Sequence, residues 1–184
     1  MKILISGYNG FLGKHLLRSL KFHPSNFDIG YLNKNDFKSS EILSKKISKN
    51  DIIFHFAGVN RDSSDEIVYQ KNIEINNCMC SALQNISFKG KLIFTSSTQE
   101  KLETFYGKAK KEARIKFKKQ SKELGYNFYG IKAPNIFGPF CRPNYNSFIA
   151  TFSYQILNKK TPEIINDKEV ELVYVSDFIN SCIK

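Results

Sequence analysis

The chain of 184 residues is 41% hydrophobic, 14% aromatic and 24% charged, which is typical of a globular domain with a sizeable core and excludes a disordered or collagen-like protein. Its formal charge of +11 at pH 7 comes almost wholly from lysine, so the arginine forks on which base-reading surfaces rely are scarce and a nucleic-acid partner is disfavoured. No window approaches the ~20 apolar residues of a membrane helix, and Met1 to Ser6 is too short for a signal-peptide core, so we expect a soluble, cytoplasmic protein without a membrane partner.

Predicted strands and helices alternate along the first 132 residues. Apolar runs predict strands at residues 2–6, 27–32, 51–57, 91–96 and 127–132. Helical spacing of apolar residues predicts helices at residues 10–21, 41–48, 65–84 and 106–124. This alternation predicts an α/β fold with a doubly wound parallel sheet of the Rossmann type.

The sequence changes character after residue 132. Three prolines and three asparagines between Pro134 and Asn146 predict an irregular loop, which a helix at 148–157 and a strand at 170–175 follow. No linker separates this part from the rest. We therefore expect a single domain over residues 1–184, in which residues 134–184 contribute a small, incomplete substrate-binding region.

A glycine run follows the first predicted strand. Its residues are Gly7, Tyr8, Asn9, Gly10, Phe11, Leu12 and Gly13. Gly7 permits a tight turn, Gly10 lets backbone approach a pyrophosphate, and Gly13 lets the following helix pack close to the strand. Free amides at the helix N-terminus would then face the phosphates of a dinucleotide. Glycine also serves ordinary turns, so this run gains weight only from its place between a strand and a helix.

The end of the second predicted strand indicates which nucleotide cofactor is preferred. A carboxylate there holds a ribose hydroxyl, whereas a basic residue accommodates a 2′-phosphate. The sequence offers Asn33 and Lys34, with no carboxylate before Asp36. NADP is therefore favoured over NAD, with the alternative that Asp36 reaches a ribose if the strand ends later than predicted.

Tyr106 and Lys110 lie one helical turn apart and can share a helix face. An ammonium beside a phenol favours the phenolate, which makes tyrosine a usable acid and base near neutral pH. This spacing also arises by chance in a lysine-rich chain. The alternative interpretation of the dense lysine run from Lys108 to Lys122 is a solvated helix face. Ser97, at the carboxyl edge of the fourth predicted strand, adds a hydroxyl where open parallel sheets bind ligands, although serine there also forms plain turns.

Several longer motifs resemble one known family. The GxxGxxG spacing and the segments HFAGVNR, FTSSTQ, YGKAK, APNIFG and CRPNYNSFIATF are similar to the extended short-chain dehydrogenase/reductase superfamily of nucleotide-sugar enzymes. Within it, the chain looks closest to the capsular polysaccharide reductases of UDP-N-acetyl-L-fucosamine synthesis, which are also short between the positions of Ser97 and Tyr106. The resemblance runs essentially end to end. It implies NADPH-dependent reduction of the C4 ketone of a UDP-2-acetamido-2,6-dideoxy-hexos-4-ulose, in the synthesis of capsule or O-antigen sugars.

The resemblance also implies a role for each matched residue. Tyr106 would protonate the C4 oxygen, Lys110 would hold the nicotinamide ribose and stabilise the Tyr106 phenolate, and Ser97 would orient the ketone. Further cofactor contacts are implied at Phe56, Ala57, Gly58, Asn60 and Pro134.

The substrate-binding residues are implied in the same way. Asn135 would contact the diphosphate, and Arg142, Asn144 and Asn146 would line a UDP-sugar pocket. Arginine can pair with phosphate through two parallel hydrogen bonds. The two asparagines could instead make a turn beside Pro143.

The chain departs from the family in two respects. Lys132 stands where arginine is usual, and the C-terminal cupin domain of the family is absent from the sequence, as are the last elements of the reductase domain. A fragment of a longer or split protein and a shortened stand-alone protein both fit, and a homodimer or a separate cupin partner is compatible with either.

Two other functions stay open. An epimerase or dehydratase would recycle bound NAD, but Thr98 and Gln99 stand where a dehydratase places an acid pair. A non-catalytic dinucleotide sensor or RNA-binding scaffold is the third interpretation.

Cysteine spacing limits metal and disulfide chemistry. Cys78, Cys80, Cys141 and Cys182 include no C-x-x-C pair, which argues against a zinc site or a disulfide framework. We expect reduced, partly buried thiols and no metal.

Overall fold

A central parallel sheet organises the first part of the chain in a computed structural model that describes residues 1–164, 167 and 169–184. Its five strands lie in the order β2-β1-β3-β4-β5. Their bounds are β1 Lys2–Ser6, β2 Asp28–Leu32, β3 Ile52–His55, β4 Lys91–Ser97 and β5 Asn127–Ala133. β1 pairs in parallel with both β2 and β3, and β3 pairs in parallel with β4.

Helices connect these strands and cover both faces of the sheet. They are α1 Phe11–Lys21, α2 Ser40–Ile47, α3 Asp65–Asn85 and α4 Phe105–Leu124. The chain steps from β1 to β2 in one direction and from β2 past β1 to β3 in the other, so right-handed crossovers place α1 on one face and the other helices opposite it. The predicted doubly wound α/β fold is confirmed, with boundaries that differ by a few residues.

The main core lies between the sheet and helices α2, α3 and α4. Alternate residues of the strands enter it, because successive side chains of a strand point to opposite faces. They include Leu4, Ile53, Leu92 and Phe94. From the helices come buried side chains such as Leu43, Leu83 and Phe117.

Short side-chain caps and one glycine set the ends of these helices. Ser39, Ser64 and Thr104 begin α2, α3 and α4, and each accepts a hydrogen bond from an amide of the first turn. Gly125 ends α4 in the left-handed conformation, with φ of 79°. These residue types explain why the sequence located the helices well.

Residues Ala133–Lys184 form a second compact unit, distinct from Met1–Lys132. It contains β6 Asn135–Phe137, α5 Phe148–Leu157, β7 Leu172–Tyr174 and α6 Val175–Ile183. β6 and β7 pair in parallel. Helix α5 is as predicted.

Two expectations for this unit are wrong. The stretch 134–146 is not irregular throughout, because Asn135–Phe137 forms a strand that pairs with a segment some 35 residues later. The predicted strand 170–175 is shorter, because Val175 already begins α6. Pairing between distant segments leaves no local sequence signal in a three-residue strand.

The structure adds three findings on thiols, metals and membranes. All four cysteines lie within the described residues and are free; Cys80 and Cys182 are buried, and Cys78 and Cys141 are half-buried. Across the described ranges, no group of three or more His, Cys, Asp or Glu side chains is placed to hold a metal ion. None of the helices that the structure describes has the length and apolarity to cross a membrane.

Candidate active site

The glycine run forms a tight loop at the carboxyl end of β1, where the strand order reverses. Gly7 has φ of 72°, and a Cβ there would lie 2.8 Å from the Ala57 amide nitrogen. A Cβ on Gly13 would overlap with the Gly7 carbonyl oxygen. Both positions therefore require glycine, for backbone conformation at Gly7 and for close packing of α1 on the loop at Gly13.

The first turn of α1 is suited to an anionic ligand. Its N-cap, Gly10, provides no capping side chain, and the first turn carries no acidic residue. Asn9 and Gly10 are exposed, whereas Tyr8, Phe11 and Leu12 are half-buried. An open cradle of this kind, with the positive end of the helix dipole behind it, fits the diphosphate of a dinucleotide.

The first carboxylate after β2, that of Asp36, is held away from solvent. Asn33 and Lys34 are exposed, but Asp36 is 5% exposed. The Asp36 carboxylate accepts a hydrogen bond from the Asn33 amide at 2.7 Å and pairs with Lys46 at 2.8 Å. Because β2 ends at Leu32 as predicted, Asp36 caps a 3₁₀ turn instead of ending the strand.

The loop after β3 lies against the glycine loop. The Ala57 amide donates to Ser6 Oγ at 3.2 Å, and half-buried Phe56 and Ala57 border Gly7. A Cβ on Gly58 would lie 3.2 Å from Lys110 Nζ. The structure thus brings residues 7, 56–58 and 110 together, while Asn60 is exposed on the same loop.

Lys110 is buried on α4 beside Tyr106, although the dense lysine run predicted a solvated face. Its Nζ donates to the Thr95 carbonyl oxygen at 3.0 Å and lies 4.9 Å from the Phe94 ring centroid. The same nitrogen lies 5.8 Å from the Tyr106 ring centroid. Burial lowers the pKa of Lys110 to about 8. The ammonium is therefore held beside the half-buried tyrosine by a carbonyl and two aromatic faces.

Ser97 and Thr95 lie on one face of β4, opposite to Ser96. Ser97 Oγ accepts a hydrogen bond from the Gln99 amide at 3.1 Å and so begins the 3₁₀ turn Thr98–Lys101. The Thr95 hydroxyl is buried without a hydrogen-bond partner among the described residues. Both the turn-forming and the site role of Ser97 are compatible with this placement.

A buried polar network that sequence reasoning missed supports the two loops. His55 Nδ1 lies 2.7 Å from Ser6 Oγ, and His55 Nε2 lies 3.1 Å from Asn76 Oδ1. Since Asn76 Oδ1 can only accept, the neutral imidazole carries its proton on Nε2. Asn72, one turn before Asn76 on α3, bonds both the amide and the carbonyl of Val59.

One signal for this network was present in the sequence. Asn72 and Asn76 repeat at helical spacing among apolar residues of α3, and a buried amide side chain needs partners. Their partners could not be read, because Ser6 and His55 follow from strand packing. Burial, followed by the nearby Lys110 charge, lowers the pKa of His55 to about 3.

The residues predicted to bind substrate belong to the second unit. Half-buried Pro134 precedes β6, and the amide of exposed Asn135 joins the strand pairing through the Glu171 carbonyl at 3.2 Å. Arg142, Asn144 and Asn146 are all exposed.

Local contacts shape the loop that carries these three residues. The Arg142 guanidinium lies 5.5 Å from the Tyr145 ring centroid. Asn144 has φ of 53°, and its amide donates to Thr151 Oγ1 at 2.9 Å. The turn-making role of Asn144 is thus observed.

Comparison with known proteins places the chain in a family. The model of the NAD dependent epimerase/dehydratase family matches residues 3–184. The UDP-2-acetamido-2,6-beta-L-arabino-hexul-4-ose reductase of Pseudomonas aeruginosa is 32% identical over 185 residues, which cover 100% of this chain and 49% of that protein.

Solved structures agree on the fold. The capsular polysaccharide assembling protein CapF from Staphylococcus aureus has a TM-score of 0.80 at 28% identity, with 100% of this chain and 48% of that chain covered. The UDP-glucose 4-epimerase of Thermotoga maritima has a TM-score of 0.81 at 19% identity, with 100% and 72% covered, and at that identity shows the fold alone.

The chain spans about half the length of the reductase and of CapF. The resemblance predicted from the motifs is confirmed by a family match that covers nearly every residue. With its glycine loop at the reversal of a parallel sheet and a buried lysine beside a tyrosine on α4, the chain belongs to the NAD dependent epimerase/dehydratase family of the short-chain dehydrogenase/reductase superfamily.

Proposed function

We propose that the protein catalyses NADPH-dependent reduction of the C4 ketone of a UDP-linked 4-keto-6-deoxy-N-acetylhexosamine, a step toward capsule or O-antigen sugars. The observation that carries the proposal is the Lys110 ammonium held 5.8 Å from the Tyr106 ring centroid, next to the glycine cradle. The name of the 32% identical relative, a UDP-keto-sugar reductase, supports the same reaction.

The protein's part in this reaction is to deliver a proton and to hold charge. A bound reduced nicotinamide supplies the hydride. Tyr106 donates its phenolic proton to the ketone oxygen, and Lys110 stabilises the phenolate that remains. Ser97, at the end of β4, would hold the ketone oxygen through its hydroxyl.

The end of β2 favours NADPH over NADH. The Asp36 carboxylate is buried and already bonded to Asn33 and Lys46, so it offers nothing to a ribose hydroxyl. Lys34 is exposed beside it and can meet a 2′-phosphate. The half-buried ring of Tyr8, in the glycine loop, lies 4.8 Å from the ring of Tyr31 on β2.

The substrate side of the proposal rests on the second unit. Exposed Arg142 offers a fork for the UDP phosphates, with Asn135, Asn144 and Asn146 as further polar contacts. We further propose that residues 1–184 form one cytoplasmic domain, in which residues 134–184 bind the substrate.

A cofactor titration followed by turnover tests the proposal. We expect the 184-residue chain to bind NADPH more tightly than NADH, and to oxidise NADPH stoichiometrically when a UDP-4-keto-6-deoxy sugar is added. Tyr106→Phe should lower kcat by roughly 10²- to 10⁴-fold, because it removes the general acid while the ring stays in place.

The possible outcomes separate the alternatives. Product formation without release of oxidised cofactor would indicate an epimerase or dehydratase with bound NAD. Turnover that survives Tyr106→Phe would contradict the proposed mechanism. Salt-dependent RNA binding without turnover would favour a non-catalytic scaffold.

A further inference from the structure

A buried carboxylate, that of Glu100, lies next to the candidate active site. Glu100, in the 3₁₀ turn Thr98–Lys101, is 7% exposed. Its two oxygens accept hydrogen bonds from Arg114 Nε at 2.7 Å and Arg114 Nη2 at 2.6 Å. Ser96 Oγ also donates to Glu100, and Lys132 Nζ lies 3.7 Å away.

Neighbouring charge keeps this carboxylate ionised. Burial by itself would raise the pKa of Glu100, but the hydrogen bonds from Arg114 and Ser96 and the charge of Lys132 hold it below its ordinary value. Glu100 and Arg114 therefore form an ion pair with two hydrogen bonds, here called the clamp, which joins the 3₁₀ turn to α4. Two parallel hydrogen bonds fix the orientation of the two side chains as well as their distance.

The clamped turn connects the two elements that carry the candidate catalytic residues, because it follows Ser97 at the end of β4 and packs against α4, which carries Tyr106 and Lys110. It begins at Ser97, whose Oγ accepts from the Gln99 amide at 3.1 Å. The turn packs against α4 at Gly107, where a Cβ would overlap with the Gln99 carbonyl oxygen. Gly107 directly follows Tyr106 in the sequence.

The 3₁₀ turn contacts α4 a second time at Arg114, one helical turn after Lys110, through the ion pair with Glu100. Ser96 Oγ contributes a further link, because it also reaches the Lys110 carbonyl oxygen at 3.3 Å. The close contact at Gly107 and the ion pair at Arg114 thus lie on either side of Lys110 along the helix.

We propose that Glu100 and Arg114 are positioning residues, which set the register of α4 against the end of β4 and thereby hold Tyr106 and Lys110 at a fixed place relative to Ser97. This inference rests on the proposed function for its catalytic consequence. Stability alone does not explain the pair, because replacing a buried ion pair by apolar residues of similar size is often neutral or stabilising. A positioning role predicts that such a replacement is tolerated for folding and harmful for chemistry.

The decisive variant is the double substitution Glu100→Met with Arg114→Met, which keeps the volume and removes the clamp. We expect its Tm to stay at or above that of the unaltered chain, and kcat to fall on the order of 10- to 100-fold with little change in the KM for NADPH. Arg114→Lys keeps the charge but loses the fork, so it should fold and show a smaller loss of kcat.

Lys116→Gln serves as the matched control on α4. Lys116 is exposed and bonds Asn77 Oδ1 at 2.6 Å, so it links α4 to α3 and not to the 3₁₀ turn. Its removal should leave kcat and KM unchanged. A double variant with wild-type kcat, or one that loses kcat and Tm together while Arg114→Lys behaves like wild type, would overturn the positioning role.

Hydrogen exchange separates failure of the clamp from failure of the proposed function. It is measured on the chain without cofactor or substrate. In the double variant we expect roughly tenfold faster amide exchange over residues 97–110 and unchanged exchange in β1 and β3. If the unaltered chain reduces no UDP-sugar, the proposed function fails, while exchange unchanged by the substitutions would by itself refute the clamp.

Discussion

Lys110 controls the expected pH dependence of the reaction. Burial lowers its pKa to about 8, so its ammonium is present below that pH and lost above it. Because the proposed mechanism requires the ammonium to stabilise the Tyr106 phenolate, we expect kcat/KM to decline above pH 8. Profiles of the unaltered chain and of Lys110→Arg check this, since arginine stays charged and should show a lower rate without that decline. A flat wild-type profile to pH 10 would contradict it.

His55 should make the fold sensitive to acid. Its pKa is about 3 in the folded protein against 6.5 for the free group, so the unfolded chain binds more protons between these values. Stability therefore rises with pH across this window and is lost as pH falls below 6.5, by up to about 1.4 kcal/mol for each pH unit.

Denaturant unfolding at pH 4 and pH 7 measures this dependence. We expect His55→Gln to lower stability at pH 7, because it disturbs the contacts to Ser6 and Asn76, and to reduce the difference between the two pH values. An equal difference in the variant would show that other groups cause the acid sensitivity.

Single residues were predictable where their type is unusual for its place. A glycine run after a strand is common, and so is a tyrosine one turn before a lysine. Their occurrence together in one chain is rarely explained by turn formation and chance alone. His55, Asn72 and Glu100 were missed because their roles depend on partners from distant elements. Lys110 was predicted as a functional residue, but its burial came from packing on Phe94.

At the scale of elements, the loop and helix of the candidate nucleotide cradle allow a direct test. A Cβ on Gly13 would overlap with the Gly7 carbonyl oxygen, whereas one on Gly10 would lie 3.1 Å from the same atom. We expect Gly13→Ala to destabilise the fold by about 1–3 kcal/mol. Gly10→Ala should fold nearly normally and weaken NADPH binding, because its methyl group occupies the approach to the helix N-terminus.

Denaturant unfolding and cofactor titration of both variants distinguish these effects. Equal stability of the two proteins would show that α1 does not depend on close packing at Gly13. Normal NADPH affinity in Gly10→Ala would place the phosphates elsewhere.

Elements with strong local signals were predicted within a few residues. Capping serines, a threonine and Gly125 locate the helices of the first unit, and continuous apolar runs locate its buried strands. β6 and α6 were missed. Each lies in or beside a short pairing between residues 135–137 and 172–174, which is set by tertiary contact.

For the whole molecule, cofactor binding should appear as stabilisation. A ligand that binds only the folded state at 100 times its Kd adds about 2.7 kcal/mol. We expect NADPH to raise Tm more than NADH does at equal concentration, and Gly10→Ala to lose most of that increase. Equal shifts with both cofactors would contradict the preference for NADPH.

The sequence by itself determined the doubly wound fold, the family and the order of the glycine loop, Ser97 and the tyrosine–lysine pair, because these depend on local periodicity and residue type. Tertiary structure decided what surrounds them: the burial of Lys110, the His55 network, the internal pairing of Asp36 and the clamp of Glu100 by Arg114. Each joins segments that are remote in the chain or in different elements. Such contacts depend on how the helices pack on the sheet, and residue spacing along the chain does not predict them.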